Sequence, residues 1–128
     1  MLENADLIAF VPTRDPQKSR RFYQQTLGLE FVSEDPFAIV FNANGVMLRI
    51  ANVSTIENFK PASFTILGWR VPNAETTVRA LGEKGIEFER FPDINQNPLG
   101  IWHSPSGAQV AWFKDPDGNI LSITEWKS

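Results

Sequence analysis

Cysteine is absent from the 128-residue chain, so disulfides, thiolate metal sites and cysteine nucleophiles are excluded. Histidine occurs once, at His103, and one imidazole does not make a metal site. No uncharged apolar run approaches the roughly 18–20 residues of a membrane helix. The opening stretch, MLENADLIAF, lacks a basic segment followed by an apolar one, so no secretory signal is expected. An excess of positive charge is missing too: 12 Lys and Arg stand against 15 Asp and Glu, for a net charge of −3. Phosphate binding needs a concentrated Lys/Arg surface, so no nucleic-acid partner is expected. Gly-rich phosphate loops and nucleophile-elbow serines are not found either. What remains is 42% apolar residues, ordinary for a globular domain with a hydrophobic core. The expectation is a cytoplasmic protein without a membrane partner.

What is present is repetition. Gly28-Leu29-Glu30-Phe31 matches Gly85-Ile86-Glu87-Phe88, 57 residues on. Gly45-Val46-Met47-Leu48-Arg49-Ile50 matches Gly118-Asn119-Ile120-Leu121-Ser122-Ile123, 73 residues on. The order is kept, which points to duplication. In the first half, Asp6–Pro12 reads as a strand. Asp15-Pro16 reads as a helix start, an N-cap oxygen before a proline whose φ suits the first turn, and the helix runs to about Leu27, closed by Gly28. Glu30–Glu34, Phe37–Phe41 and Val46–Ala51 read as strands separated by turn-forming residues. Asn52–Ala62 is a polar connector. In the second half, Phe64–Val71 is a strand and Asn73 caps a helix through about Lys84. Glu87–Phe91, Ile101–Ser104, Gln109–Lys114 and Ile120–Trp126 read as strands, with most of the extra length in the loop Pro92–Pro98. Each half is read on the plan β-α-β-β-β, with one strand more in the second: module 5–52, linker 53–62 and module 63–126 of one domain. The expected class is α+β, tandem βαβββ modules forming an open mixed sheet around a cavity lined by alternate strand residues, with the helices outside.

Asp15-Pro16-Gln17-Lys18-Ser19-Arg20-Arg21-Phe22-Tyr23, followed by Leu27-Gly28-Leu29, resembles a helix motif of the vicinal oxygen chelate superfamily. Ala111-Trp112-Phe113-Lys114-Asp115-Pro116-Asp117-Gly118-Asn119 resembles the same family's signature, an aromatic strand end and a D-P-D/N-G turn before the last strand. That superfamily includes glyoxalases, bleomycin-resistance proteins and extradiol dioxygenases. The resemblance extends over about residues 6–126. It implies the fold but not the chemistry, because one fold hosts many functions.

For the family's enzymes, the resemblance implies a divalent metal held by four side chains, usually His and Glu, one each from the first and last strands of both halves. The metal acts as a Lewis acid on two adjacent substrate oxygens. Carried over through the repeats, the four positions are Ile8, Arg49, Ile66 and Ser122. Two are aliphatic, one is a hydroxyl, and one is a fixed cation that would repel a divalent ion. No metal and no other cofactor is therefore expected.

Arg49 is the most informative residue, read as a clamp for an acidic or carbonyl oxygen. Its repeat-mate Ser122 would add a hydrogen bond. The chain carries 4 Trp and 10 Phe, and all four tryptophans lie in the second half. Trp69 and Trp102 are read as lining the cavity, where rings favour planar or amphipathic ligands. Trp112 and Trp126 are read as packing the core or a dimer contact, and Arg70 as lying on the face away from the cavity. His103 and Glu125 are the candidate acid–base groups. Two functions follow. The first is a metal-free small-molecule-binding protein of the bleomycin-resistance kind, a homodimer that sequesters an acidic or carbonyl-bearing ligand. The alternative is a divergent lyase, isomerase or oxygenase, using acid–base chemistry or a divalent metal held by residues such as His103, Glu125 and Asp6.

Overall fold

Asp15 caps the first helix: its carboxylate accepts a hydrogen bond from the Lys18 N–H at 3.2 Å, and Pro16 opens the first turn. In the computed structural model, which describes residues 1–127, this helix α1 (Pro16–Arg21) is short. From Phe22 to Thr26 the turns widen to π-helical spacing, and the Leu27 N–H donates to the Phe22 carbonyl at 2.9 Å. The expected uninterrupted α-helix to Leu27 is thus half α and half π. Apolar periodicity over five residues does not separate the two. The π turn carries Tyr23, fully buried, edge-on to Phe22 at 5.2 Å and tilted against Phe41 at 6.2 Å.

The chain divides into two compact units, Met1–Pro61 and Ala62–Ser128. The first holds strands β1 (Ile8–Thr13), β2 (Glu30–Glu34), β3 (Ala38–Ala43) and β4 (Val46–Asn52), in the order β1-β4-β3-β2, with β1 parallel to β4. The second holds β5 (Thr65–Arg70), helix α2 (Ala74–Glu83), β6 (Trp102–His103), β7 (Gln109–Lys114) and β8 (Ile120–Glu125). Its order is β5-β8-β7-β6, with β5 parallel to β8. Both units are mixed four-stranded sheets with the same topology, the duplication expressed in hydrogen bonds. No helix among the described residues is long and apolar enough to cross a membrane.

Alternation decides which side of each sheet is core. In the first unit Val11, Ile39, Phe41, Leu48 and Ile50 are buried on the side that α1 covers. In the second, Ala111, Phe113, Leu121 and Ile123 are buried on the side of α2. The α2 start is doubly held. Asn73 accepts from the Thr76 N–H at 2.8 Å, and Glu125 accepts from the Ala74 N–H at 2.7 Å.

One expected strand is absent. Glu87–Phe91 forms no ladder with β7: its backbone meets that strand through an isolated bridge from Phe88 to Phe113 and the Glu89 N–H to the Trp112 carbonyl at 2.8 Å. A glutamine takes the backbone groups that a ladder would have used. The Gln96 carboxamide accepts from the Phe91 N–H (2.8 Å) and donates to the Glu89 and Gly100 carbonyls (2.9 and 2.8 Å). The segment 88–100 is therefore a loop clasped by its own side chain.

Candidate ligand-binding site

On the side of the second sheet away from α2, the strands present Trp102, Val110, Trp112, Ile120, Ser122 and Thr124, by the register of β6, β7 and β8. The indole of Trp112 anchors this face. Its Nε1–H donates to Thr65 Oγ1 at 3.1 Å, the Trp102 ring lies 6.1 Å away at a tilt, and Phe91 meets it edge-on at 5.4 Å. An open hollow of about 350 Å³ results, lined by Thr65, Phe91, Ile94, Trp102, Trp112 and Ile120, with Ser63 and Phe64 at its margin. Its walls are almost wholly apolar. Two sides come from strands and one from the loop that Gln96 clasps.

Along β8 from this hollow lies a second one, of about 360 Å³, lined by Gly68, Trp69, Arg70, Ser122, Thr124 and Trp126. Gly68 is the register partner of Ser122 and Arg70 of Thr124. Trp69 is level with buried Ile123, on the helix side of the sheet, while Arg70 takes the open side with Ser122. The register is thus the opposite of that expected for the two, although Trp69, at the edge of the sheet, still borders this hollow as expected. A bulge between Thr65 and Leu67 contributes, because one extra residue, Ile66, breaks the alternation along β5. Trp112 is likewise on the open face rather than in the core, and Trp126 is 54% exposed, its ring 5.5 Å from the Arg70 guanidinium.

In the first unit, Arg49 on β4 is half-buried and stands opposite Phe10 and Val40, on the side away from α1. Its charge helps hold the Asp35 carboxyl below the usual aspartate range. The larger causes are the Phe37 and Ala38 N–H groups that donate to that carboxylate at 2.7 and 3.0 Å, with burial opposing. Ile8 lies two residues before Phe10, the partner of Arg49, and Ile66 lies two before Gly68, the partner of Ser122. By spacing the four positions correspond in the two repeats, although the bulge sets Thr65, beside Ile120, and not the expected Ile66 at the register place that Ile8 holds beside Met47. As a donor set they do not fit a divalent cation: two carry no lone pair, one is cationic, and one is a neutral hydroxyl. Among the described residues no three of His, Cys, Asp and Glu come together as metal ligands.

The acid–base candidates are not brought together. His103 is exposed on the edge strand β6, paired with Gln109. Glu125 lies across β7 from it and is engaged by the Ala74 N–H. Asp6 is exposed ahead of β1. Sequence reasoning missed Phe91, Ile94, Thr65, Trp112, Arg70 and Thr124. For Trp112 and Thr124 the signal was available, since Thr124 lies two residues beyond Ser122 on β8 and Trp112 is the register partner of Ser122 on the adjacent β7. For Phe91 and Ile94 it was not, because a loop has no period.

A family model described as the Glyoxalase/Bleomycin resistance protein/Dioxygenase superfamily matches residues 6–123. No curated protein sequence matches the chain. Similar solved structures include a member of that superfamily from Sphaerobacter thermophilus, with 24% identity, coverage of 98% of this chain and 99% of that one, and a TM-score of 0.76. An antibiotic binding protein from Streptomyces sp. CB03234 shows 21% identity, 99% coverage of both chains and a TM-score of 0.72. A lactoylglutathione lyase from Agrobacterium tumefaciens shows 16% identity, 95% and 93% coverage and a TM-score of 0.71. At these identities the likeness speaks for the fold alone. With its family model spanning nearly the whole chain and its β-α-β-β-β repeat in both units, this protein belongs to the glyoxalase/bleomycin resistance protein/dioxygenase superfamily.

Proposed function

We propose that the protein is a metal-free small-molecule-binding protein that sequesters an aromatic or apolar ligand carrying an acidic or carbonyl oxygen. The observation that carries this reading is the hollow walled by Trp102, Trp112 and Phe91, an apolar surface open to solvent and held in shape by the Trp112 hydrogen bond to Thr65. Rings of this kind bind planar groups through area burial and offset or edge contacts. Arg49 is the candidate cation of the first sheet and Ser122 a candidate hydroxyl of the second. The donor chemistry at Ile8, Arg49, Ile66 and Ser122 supports binding without a metal. The homodimer implied by the family resemblance belongs to this reading and is checked by sedimentation.

The test is a fluorescence titration with pyrenebutanol, a neutral ring probe. Saturable binding is expected, weakened about fivefold or more in Trp102→Ala and in Trp112→Ala. No saturable binding, or wild-type affinity in both variants, would overturn the reading. Elemental analysis of tag-free protein covers the alternative: a stoichiometric divalent ion, lost in His103→Ala, would establish metal-dependent chemistry instead.

A further inference from the structure

We infer that the second hollow is an acid-binding subsite, with Arg70 as the cation that receives a ligand's carboxylate and Ser122 and Thr124 as its hydroxyl partners. The inference rests on the ring-binding reading above and narrows it to amphipathic carboxylates, a planar apolar group joined by a short chain to the acid.

Three observations meet here. The first is the glycine. Gly68 does not have a left-handed backbone, so its conformation does not require glycine. Its reason is space: a Cβ there would lie 2.6 Å from Ser122 Oγ and 3.3 Å from the Ser122 carbonyl oxygen. The missing side chain is what leaves the Ser122 hydroxyl open to the hollow. At the equivalent place in the first repeat, Phe10 faces Arg49, so the two copies have diverged: the first fills this position and the second clears it.

The second observation is the charge. Among the described residues Arg70 makes no ion pair with a carboxylate, and its guanidinium lies over the ring of Trp126, 5.5 Å from the centroid. A cation–π contact at this distance uses none of the guanidinium N–H donors, which are left to take a carboxylate in a forked pair. Arg70 lies on the open face, level with Thr124, beside the Ser122 hydroxyl.

The third is continuity. Ile120 lines the aromatic hollow, and Ser122 and Thr124 line the polar one. All three are alternate residues of β8 on one face of one sheet. At a rise of about 3.3 Å per residue the span from Ile120 to Thr124 is about 13 Å. A ring and an acid separated by a few methylenes match a face that is apolar at one end and cationic at the other.

The experiment compares pyrenebutanoate with pyrenebutanol, the same ring and chain with and without the acid, by fluorescence titration of the full chain. Arg70→Met is expected to weaken pyrenebutanoate about fivefold and leave pyrenebutanol unchanged. Gly68→Ala, which crowds Ser122, is expected to weaken pyrenebutanoate in the same direction. Added salt should reduce the affinity of wild type for pyrenebutanoate and have little effect in Arg70→Met. Circular dichroism and melting verify that the variants fold; a misfolded Arg70→Met is replaced by Arg70→Gln. If both probes bind wild type and Arg70→Met alike, or if Arg49→Met alone lowers pyrenebutanoate affinity, the subsite is refuted and the aromatic hollow stands. If neither probe binds wild type, the ring-binding reading itself fails and the subsite with it.

Discussion

Replacing Gln96 by leucine should loosen the wall of the aromatic hollow without touching its rings. The Gln96 carboxamide makes three hydrogen bonds of 2.8–2.9 Å to the backbone of Glu89, Phe91 and Gly100. Leucine has a similar size and makes none. A hydrogen bond contributes about 0.5–1.5 kcal/mol net, and these groups are part-buried, so water recovers some of the loss; about 2 kcal/mol is the expected destabilisation. For a domain of this size that is a fall of about 8 °C in Tm. Because Phe91 and Ile94 are carried by the clasped loop, pyrenebutanol affinity should fall as well, at a temperature where the variant is still folded. Differential scanning calorimetry and fluorescence titration read the two effects. Gln96→Glu sharpens the test. It keeps the acceptor for the Phe91 N–H but sets a carboxylate against two carbonyl oxygens. At neutral pH it should be at least as destabilised as Gln96→Leu. Relative to wild type at the same pH, it should recover as the carboxyl protonates and can donate again: repulsion raises its folded pKa, so its penalty grows as pH rises. A Tm within about 2 °C of wild type for Gln96→Leu would refute the clasp.

Three further outcomes are expected. The Asp35 carboxyl, depressed chiefly by the Phe37 and Ala38 N–H groups, should titrate by NMR below the ordinary aspartate value. Its contribution to stability is present above the unfolded pKa and lost as pH falls through the folded one, and Arg49→Met should move the titration up only slightly. Thr65→Val removes the acceptor of the Trp112 indole N–H; a shift in tryptophan emission with a Tm loss of a few degrees is expected, and an unchanged spectrum would argue against that bond. Phe41→Ala, at a fully buried ring packed on Tyr23 and Phe31, should cost about 3–5 kcal/mol in chemical denaturation, far more than any open-face substitution named here.

The duplication, the helix caps at Asp15 and Asn73, the strands Glu30–Glu34 and Gln109–Lys114 and the family were legible in the residues, because caps, turns and strand periods are local chemistry. The unsuitability of Ile8, Arg49, Ile66 and Ser122 as metal ligands was legible for the same reason, since the donor atoms of a side chain do not depend on the fold. Which face the residues of β5 take was not. One bulge at Ile66 displaces every later residue of β5 in the alternation, and nothing in the order of residues announces it. The loss of the Glu87–Phe91 strand was equally out of reach, because it depends on a glutamine several residues away competing for the same backbone groups. Only tertiary structure could set Trp102, Trp112 and Phe91 around one hollow and leave Gly68 clear above Ser122, since the partners come from different strands and a loop. Local composition names the candidates; register across a sheet chooses among them.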